Sequence, residues 1–506
     1  MEKALVRLNL EKQPHLLKQA SLLITVSGLA SKILAAIYRI PYQNLVGDRG
    51  FYAYQQVYPF LAIISALSLT ALPNLVASLS QKKDEVQLTA FMKLQLLASL
   101  GLSLVFFLGH QQIAEWMGAP KLGTAIYLTS LILLTVPFIS FYRGLAQADL
   151  NMGPTAISQI LEQIIRVAII MLAAICYVRF DWSIYRTATV AASGNLVASG
   201  IVLAYLAKHS SFSLRQYVKQ FSFSLGDCRQ LGQSSFVFIL FSIYLLLFQL
   251  LDSLFVKNSL VNAGYSNQLA EISKGIFDRG QPLIQFGLIF STALFTSYLP
   301  KLTQLYHYNQ KAYQTQNQDF LAFLFYFNVT LTAGFMSILH LMNRVLFQDN
   351  KGWLALVCYL LTIILSSTIQ FFHQKCFIEN RVGQSLAILL IGLACKLGLT
   401  PLLTYHYGIV GSSLSTVIPL FVVFSCYILS MPMKWTFICN GKFWLTVLLM
   451  VSLITVCQAM LPFQGRLGAL INLLLSTGVG FVSFWVTCRK SHVFDEKLWS
   501  FLPFKE

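Results

Sequence analysis

The chain has 506 residues, 56% hydrophobic and only 11% charged, whereas soluble domains carry about 25% charged residues. That composition excludes an ordinary soluble enzyme and points to an integral membrane protein. The formal charge of +17 would suit nucleic acid, but the basic residues are spread over short loops, as in membrane proteins. Nine cysteines without a C-x-x-C pair and eight histidines without ligand spacing give no reason to expect a disulfide framework, a metal or another cofactor.

Residues 1–18 are polar and charged, and no cleavable signal pattern is expected before the first apolar run. That run, 17–46, carries Lys32 and Arg39. A fixed charge inside a membrane span costs at least about 2.5 kcal/mol, so such residues face protein or a water-filled cavity. Seven positions are close to two helical turns, which places both on one helix face.

Apolar length predicts fourteen spans, at about 18–44, 50–79, 89–113, 122–147, 153–178, 186–207, 234–257, 276–300, 320–344, 352–375, 382–404, 407–430, 442–461 and 467–488. In the fifth, Glu162 and Arg166 are four apart in the favoured order for a helical pair. They fit either a self-neutralised structural pair or a cavity-facing carboxylate that shares its arginine. Arg143, near a span end, reads as a snorkelling residue, as does Lys375. A polar linker, 208–233, follows the sixth span. Asp252 lies deep in the seventh, either packed against another helix or serving a cation, a proton or Arg39. Asp278, Arg279 and Gln281 precede Pro282 and read as a helix start, although that account leaves the arginine without a role. A second linker, rich in Gln, Tyr and Asn, is expected at 301–319. Lys396 stands far from either end of its span, which favours a cavity over snorkelling. His340 and His373 read as packing residues. The last two spans contain no charge between 443 and 460 or between 467 and 488.

The predicted organisation is an all-α polytopic protein with an N-lobe (1–207), a linker (208–233), a C-lobe (234–430) and a C-terminal two-helix unit with its tail (431–506). With both termini cytoplasmic, inward segments hold 21 Lys and Arg and outward segments hold 9, Lys257 and Lys274 among the latter. The halves look duplicated. Asp48-Arg49-Gly50 recurs at Asp278-Arg279-Gly280, and the same offset relates Arg143 to His373 and Arg166 to Lys396. Such repeats are the usual construction of secondary transporters. The basic residues Lys32, Arg39, Arg166, Arg279 and Lys396 outnumber the acids Glu162, Asp252 and Asp278. A net cationic cavity suits phosphate or pyrophosphate. No phosphate-binding loop, H-E-x-x-H or nucleophile elbow occurs, so catalysis is not expected. A membrane-embedded transferase is the remaining enzymatic reading.

Several stretches carry a resemblance: Gly28-Leu-Ala-Ser-Lys-Ile-Leu with Tyr38-Arg-Ile-Pro-Tyr, Tyr54-Gln-Gln-Val-Tyr-Pro59, Arg143-Gly-Leu-Ala-Gln147 through Pro154-Thr-Ala-Ile-Ser-Gln159 and Glu162, and Asp278-Arg-Gly-Gln-Pro282. Through them the chain resembles the multidrug/oligosaccharidyl-lipid/polysaccharide exporter superfamily, in its stage V sporulation protein B-like branch of lipid II and teichoic acid flippases. The resemblance implies two six-helix lobes around a central cavity, alternating access, and an undecaprenyl-pyrophosphate-linked cell-wall saccharide as cargo in a bacterial plasma membrane. It implies that Arg39 and Arg279 line the cavity, and that spans thirteen and fourteen hold the lipid tail. Lys32 and Lys396 are expected to join the arginines on the pyrophosphate. Glu162, Arg166, Asp252 and Asp278 are expected to serve coupling to H+ or Na+, or charge balance. A drug/cation antiporter of the same fold is the alternative, and it would depend on the acids more than on the arginines.

Overall fold

The computed structural model describes residues 37–81, 85–210, 232–431, 433–461 and 465–494, with positions 28, 30, 31, 33 and 34 before them. Lys32 and most of the 208–233 linker lie outside the described residues. Among the described residues every regular element is helical. They run α1 Arg39–Ala66, a wide turn Leu67–Ala71, α2 Leu72–Gln81, α3 Glu85–Trp116, a tight turn Pro120–Leu122, α4 Gly123–Leu133, α5 Val136–Ala148, α6 Met152–Phe180 and α7 Ile184–His209. After the linker come α8 Gly232–Ser242, α9 Tyr244–Asn262, α10 Asn267–Asp278, α11 Gly280–Tyr308, α12 Gln310–Phe347, α13 Trp353–Ile378, α14 Val382–Ser430, α15 Gly441–Met460 and α16 Gly465–Lys490.

Eleven of these helical stretches are long and apolar enough to cross a membrane, or twelve when the pair Pro120–Leu133 and Val136–Ala148, bent by 42°, is counted as one. The protein is a multi-pass membrane protein, but the described residues do not give the expected fourteen. Part of the difference is geometric. A 49-residue helix would be about 74 Å long, more than twice the hydrocarbon core. α14 in fact breaks at Gly408, whose φ is 58°, a backbone that glycine adopts freely. Three residues on, a Cβ on Gly411 would stand 1.9 Å from the Leu403 carbonyl oxygen, so the two arms meet too closely for any side chain there. α1 likewise breaks at Gly47, φ 68°, and most of the apolar run before it lies outside the described residues.

Two other expectations are corrected. The 301–319 stretch is helical almost throughout, because α11 runs to Tyr308 and α12 begins at Gln310, with Asn309 capping the Ala312 amide at 3.1 Å. The chain before Pro282 is not a helix start. Ser266 caps α10 by accepting from the Leu269 amide, and Asp278-Arg279-Gly280 forms the joint between α10 and α11. Lys274 is therefore inside a helix and buried, as is Lys257 in α9, and neither counts among loop charges.

The chain divides into two compact units, Met1–Asn258 and Ser259–Glu506. The boundary falls inside α9. Up to that point the helix is fastened to the first unit: Lys257 Nζ donates to the Gly118 carbonyl, Asn258 Nδ2 to the Trp116 carbonyl, and Gln56 Nε2 to the Ser253 carbonyl at 3.1 Å. The core of the first unit combines aromatic residues of α1 (Tyr42, Phe51, Tyr54) with alanines of α6 and α7 (Ala173, Ala188, Ala191). Small residues let membrane helices approach closely without a hydrophobic driving force. In the second unit, Phe277, Leu283, Leu339, Leu356 and Tyr359 join α10–α13. Tyr326, Phe443, Met450 and Phe494 fasten α15 to α12. Outward faces are apolar, with Leu445 and Leu448 on α15 and Leu474 and Phe481 on α16 all exposed.

One polar tie holds the first unit together where a snorkelling residue was expected. Arg143 is fully buried on α5. Its Nη2 pairs with Glu162 Oε2 at 2.8 Å, its Nε donates to Ser158 Oγ at 2.9 Å, and its Nη1 donates to the Ser68 carbonyl at 3.0 Å. The arginine thus links α5, α6 and the wide turn after α1. Removing one partner of such a pair leaves a buried charge uncompensated. Arg143→Met is expected to lower stability by about 3–5 kcal/mol, read as a fall in Tm of the purified protein. Replacing Glu162 by Met as well is expected to restore part of the loss.

Candidate functional site

Arg39, at the start of α1, has no exposed surface. None of Nε, Nη1 and Nη2 makes a hydrogen bond among the described residues. Its charge rests on aromatic faces: the guanidinium carbon lies 4.1 Å from the centroid of Tyr58. Tyr54 packs against Tyr58 at 6.2 Å and Tyr42 at 5.3 Å, and its hydroxyl meets that of Tyr38 at 3.2 Å. Helix geometry explains the grouping, since Tyr54 and Tyr58 are four apart on one face, as are Tyr38 and Tyr42. The break at Gly47 lies between these two pairs. Cation–π contact offsets part of the cost of burying a guanidinium, by about 2 kcal/mol when desolvated. Apart from the neighbouring Tyr38 side chain, no group among the described residues competes for its N–H donors, which leaves the guanidinium able to bind an anion bidentately.

The other charges predicted for a site are committed elsewhere. Glu162 and Arg166 do not form the helical pair. Glu162 is taken by Arg143, because the bend before α5 brings that arginine across to α6. Arg166 instead reaches Ser65 Oγ at 3.0 Å, Asn195 Oδ1 at 3.4 Å and its neighbour Gln163. Asp252 is buried in α9 within the first unit.

In the second unit Asp278 accepts from Lys274 one turn earlier. Arg279 is almost fully buried, lies over Phe347 at 5.0 Å, and makes a two-pronged pair with Asp349, Nη1 to Oδ1 and Nη2 to Oδ2 at 3.1 Å. Asp349 belongs to the turn between α12 and α13, where Gln348 and Gly352 both have positive φ. Lys351 also donates its amide to Asp349 Oδ1 at 3.0 Å. Burial alone would raise the Asp349 pKa. Hydrogen bonds from Arg279 and the Lys351 amide, with the charges of Arg279 and Lys351, outweigh it and hold the carboxyl below its ordinary value. Lys396 is buried on the first arm of α14 and donates to Ser415 Oγ at 3.2 Å and Thr416 Oγ1 at 2.8 Å on the second.

Positions 230 apart in the sequence play parallel parts inside their own units. Arg143 reaches Ser158 on the following helix, and His373 reaches Ser385 at 2.8 Å on the one that follows it. Arg166 bonds to the helix after its own, and Lys396 to the arm after its own.

Sequence reasoning missed Asp349, which reads as an ordinary residue in a polar turn. It also missed Lys274, although its i,i+4 spacing to Asp278 is plain once α10 is known to begin at Asn267.

Residues 17–306 match the family of polysaccharide biosynthesis proteins. The chain is 32% identical over 420 residues to the uncharacterized membrane protein YabM of Bacillus subtilis, covering 79% of this chain and 77% of that one. It is 30% identical over 174 residues to the lipid II flippase MurJ of the same bacterium, covering 31% and 32% of the two chains. Among solved structures, lipid II flippase MurJ in an inward closed conformation matches with a TM-score of 0.67 at 13% identity, over 93% of this chain and 100% of that one. An inward-facing multidrug resistance MATE family transporter of the MOP superfamily matches at 0.58 and 14%, over 80% and 93%. At these identities the structural likeness establishes the fold, and the matched sequence establishes the lineage: the chain belongs to the polysaccharide biosynthesis protein family.

Proposed function

We propose that the protein is a flippase that moves a lipid-linked saccharide pyrophosphate across a bacterial plasma membrane by alternating access, and that Arg39 receives the pyrophosphate. One observation carries the reading: a fully buried guanidinium, resting on Tyr58, whose nitrogens make no hydrogen bond among the described residues. Membership of the polysaccharide biosynthesis family and partial likeness to a lipid II flippase supply the cargo class. Pyrophosphate offers oxygens in the geometry that a guanidinium binds best. Lys32, seven residues before Arg39 in the sequence, is the point charge we assign beside it.

In this reading Arg279 and Lys396 assist from the second unit. Arg279 is held by Asp349 in the described conformation, so anion binding there is an exchange in which phosphate oxygens replace the carboxylate. Glu162, Arg166 and Asp278 balance charge, and Asp252 is the acid assigned to H+ or Na+ coupling. The Lys and Arg bias supports a reading with both termini in the cytoplasm. The saccharide is a cell-wall precursor, either a teichoic acid chain or lipid II.

Arg39→Ala is expected to lower flipping of a lipid-linked saccharide pyrophosphate in proteoliposomes by roughly 30-fold or more, as loss of a buried charge-assisted contact predicts, with the protein still inserted. Unchanged flipping, together with uptake of a lipophilic cation, would instead favour the antiporter reading that the MATE-like fold admits. Depletion of the protein in cells is expected to leave one intermediate on the inner leaflet: lipid II identifies peptidoglycan as the destination, and a polyol- or choline-bearing chain identifies teichoic acid.

Asp349→Asn keeps the shape of the turn but frees Arg279 of its counter-charge, so tighter pyrophosphate binding is expected, with stability lower by about 1 kcal/mol for this partly exposed pair. The folded-state pKa of Asp349 is depressed. Its contribution is therefore complete above the unfolded value of about 4 and is lost as pH falls through the folded one. The Tm difference between wild type and variant is expected at neutral pH and to vanish in strong acid.

A further inference from the structure

The turn before α4, the first residues of α4 and the start of α7 line an open cavity of about 330 Å³, formed by Lys121, Thr124, Ser183, Tyr185, Arg186 and Thr189 with Val190. Two cations share it. Neither has an acidic partner among the described residues. Each is steadied by an aromatic face: Lys121 lies 5.6 Å from the centroid of Tyr185, and Arg186 lies 4.3 Å from that of Trp182. Asp181 is exposed nearby, but it is not part of the lining. Two like charges on the lining of one cavity favour an anion there.

The remaining groups match the same chemistry. Ser183 caps α7, its Oγ accepting from the Arg186 amide at 3.2 Å, which leaves the hydroxyl hydrogen able to donate. α7 is a 26-residue helix, and its positive end opens here. The helices that precede the two lining segments end on exposed aromatic residues, α6 at Phe180, 68% exposed, and α3 at Trp116, 63% exposed, and Trp is enriched where membrane meets water.

We propose that this cavity binds a phosphate group at the membrane interface, borne by an anionic lipid headgroup or free in the adjacent water. Arg186 would make the two-pronged contact, with Lys121 as the second charge and the Ser183 and Thr124 hydroxyls as donors. The site is separate from Arg39 and does not rest on the flippase reading.

The test uses the full chain in detergent, with phosphatidylglycerol or phosphatidylcholine added and bound lipid counted by native mass spectrometry. Thermal stabilisation by inorganic phosphate is measured in parallel. Wild type is expected to retain phosphatidylglycerol over phosphatidylcholine, or to be stabilised by phosphate, and the arm that responds identifies the source. The double variant Lys121→Gln, Arg186→Gln is expected to bind roughly tenfold more weakly. Both side chains are exposed, so its Tm without ligand is expected to match wild type. The double variant Lys121→Arg, Arg186→Lys is expected to retain binding. Equal retention of both lipids with no phosphate effect, or wild-type binding by the glutamine double variant, would overturn the proposal.

Discussion

A guanidinium or ammonium group placed in hydrocarbon costs at least about 2.5 kcal/mol even on lenient insertion scales. In this protein the arrangement of helices follows from how that cost is met. Arg143 meets it with a carboxylate, a hydroxyl and a carbonyl drawn from three chain segments. Lys274 meets it with an acid one turn away, Arg279 with an acid from a turn seventy residues on, and Lys396 with two hydroxyls across a hairpin. Except for the pair within α10, these solutions tie one chain segment to another, so those buried cations act as joints as well as charges.

Arg39 is the exception. Aromatic faces take its charge, and among the described residues its nitrogens make no hydrogen bond. A π-face attracts a cation without matching the directions of its N–H bonds, so the group is accommodated without being saturated. A cation already bound to a carboxylate, by contrast, must give up that partner before it can take another anion. The contrast between Arg39 and Arg279 is thus one of readiness: the first can accept an anion directly, and the second only by exchange.

Much of this was legible in the residues themselves. Apolar run lengths gave the all-helical membrane architecture, and charges within those runs gave the residues that needed a structural explanation. The partners of those charges were less legible. Glu162 and Arg166 have the spacing of a helical pair, but a bend between α4 and α5 delivers a competing arginine with better-placed donors, and tertiary geometry overrides local spacing. Asp349 gives no signal because a carboxylate in a polar turn looks the same whether it meets water or a buried arginine. The 301–319 stretch misleads for a related reason: its polar residues resemble a linker, while each is compatible with a helix that projects beyond the bilayer. The expected span boundaries near 44–50 and 404–407 lie beside Gly47 and Gly408, where one glycine does the work of a loop.

The single-residue joint at Asn309 has a mechanical consequence. One extended residue spans at most about 3.6 Å, so α11 and α12 have almost no slack between them. α12 is in turn tied by Tyr326 to Phe443, stacked at 4.2 Å, and to Phe494. A tilt of α11 is therefore transmitted through a stiff linkage to the outward-facing pair α15 and α16. α11, α12 and α15 are thus linked in series, and a displacement of α11 along its axis cannot be absorbed at Asn309.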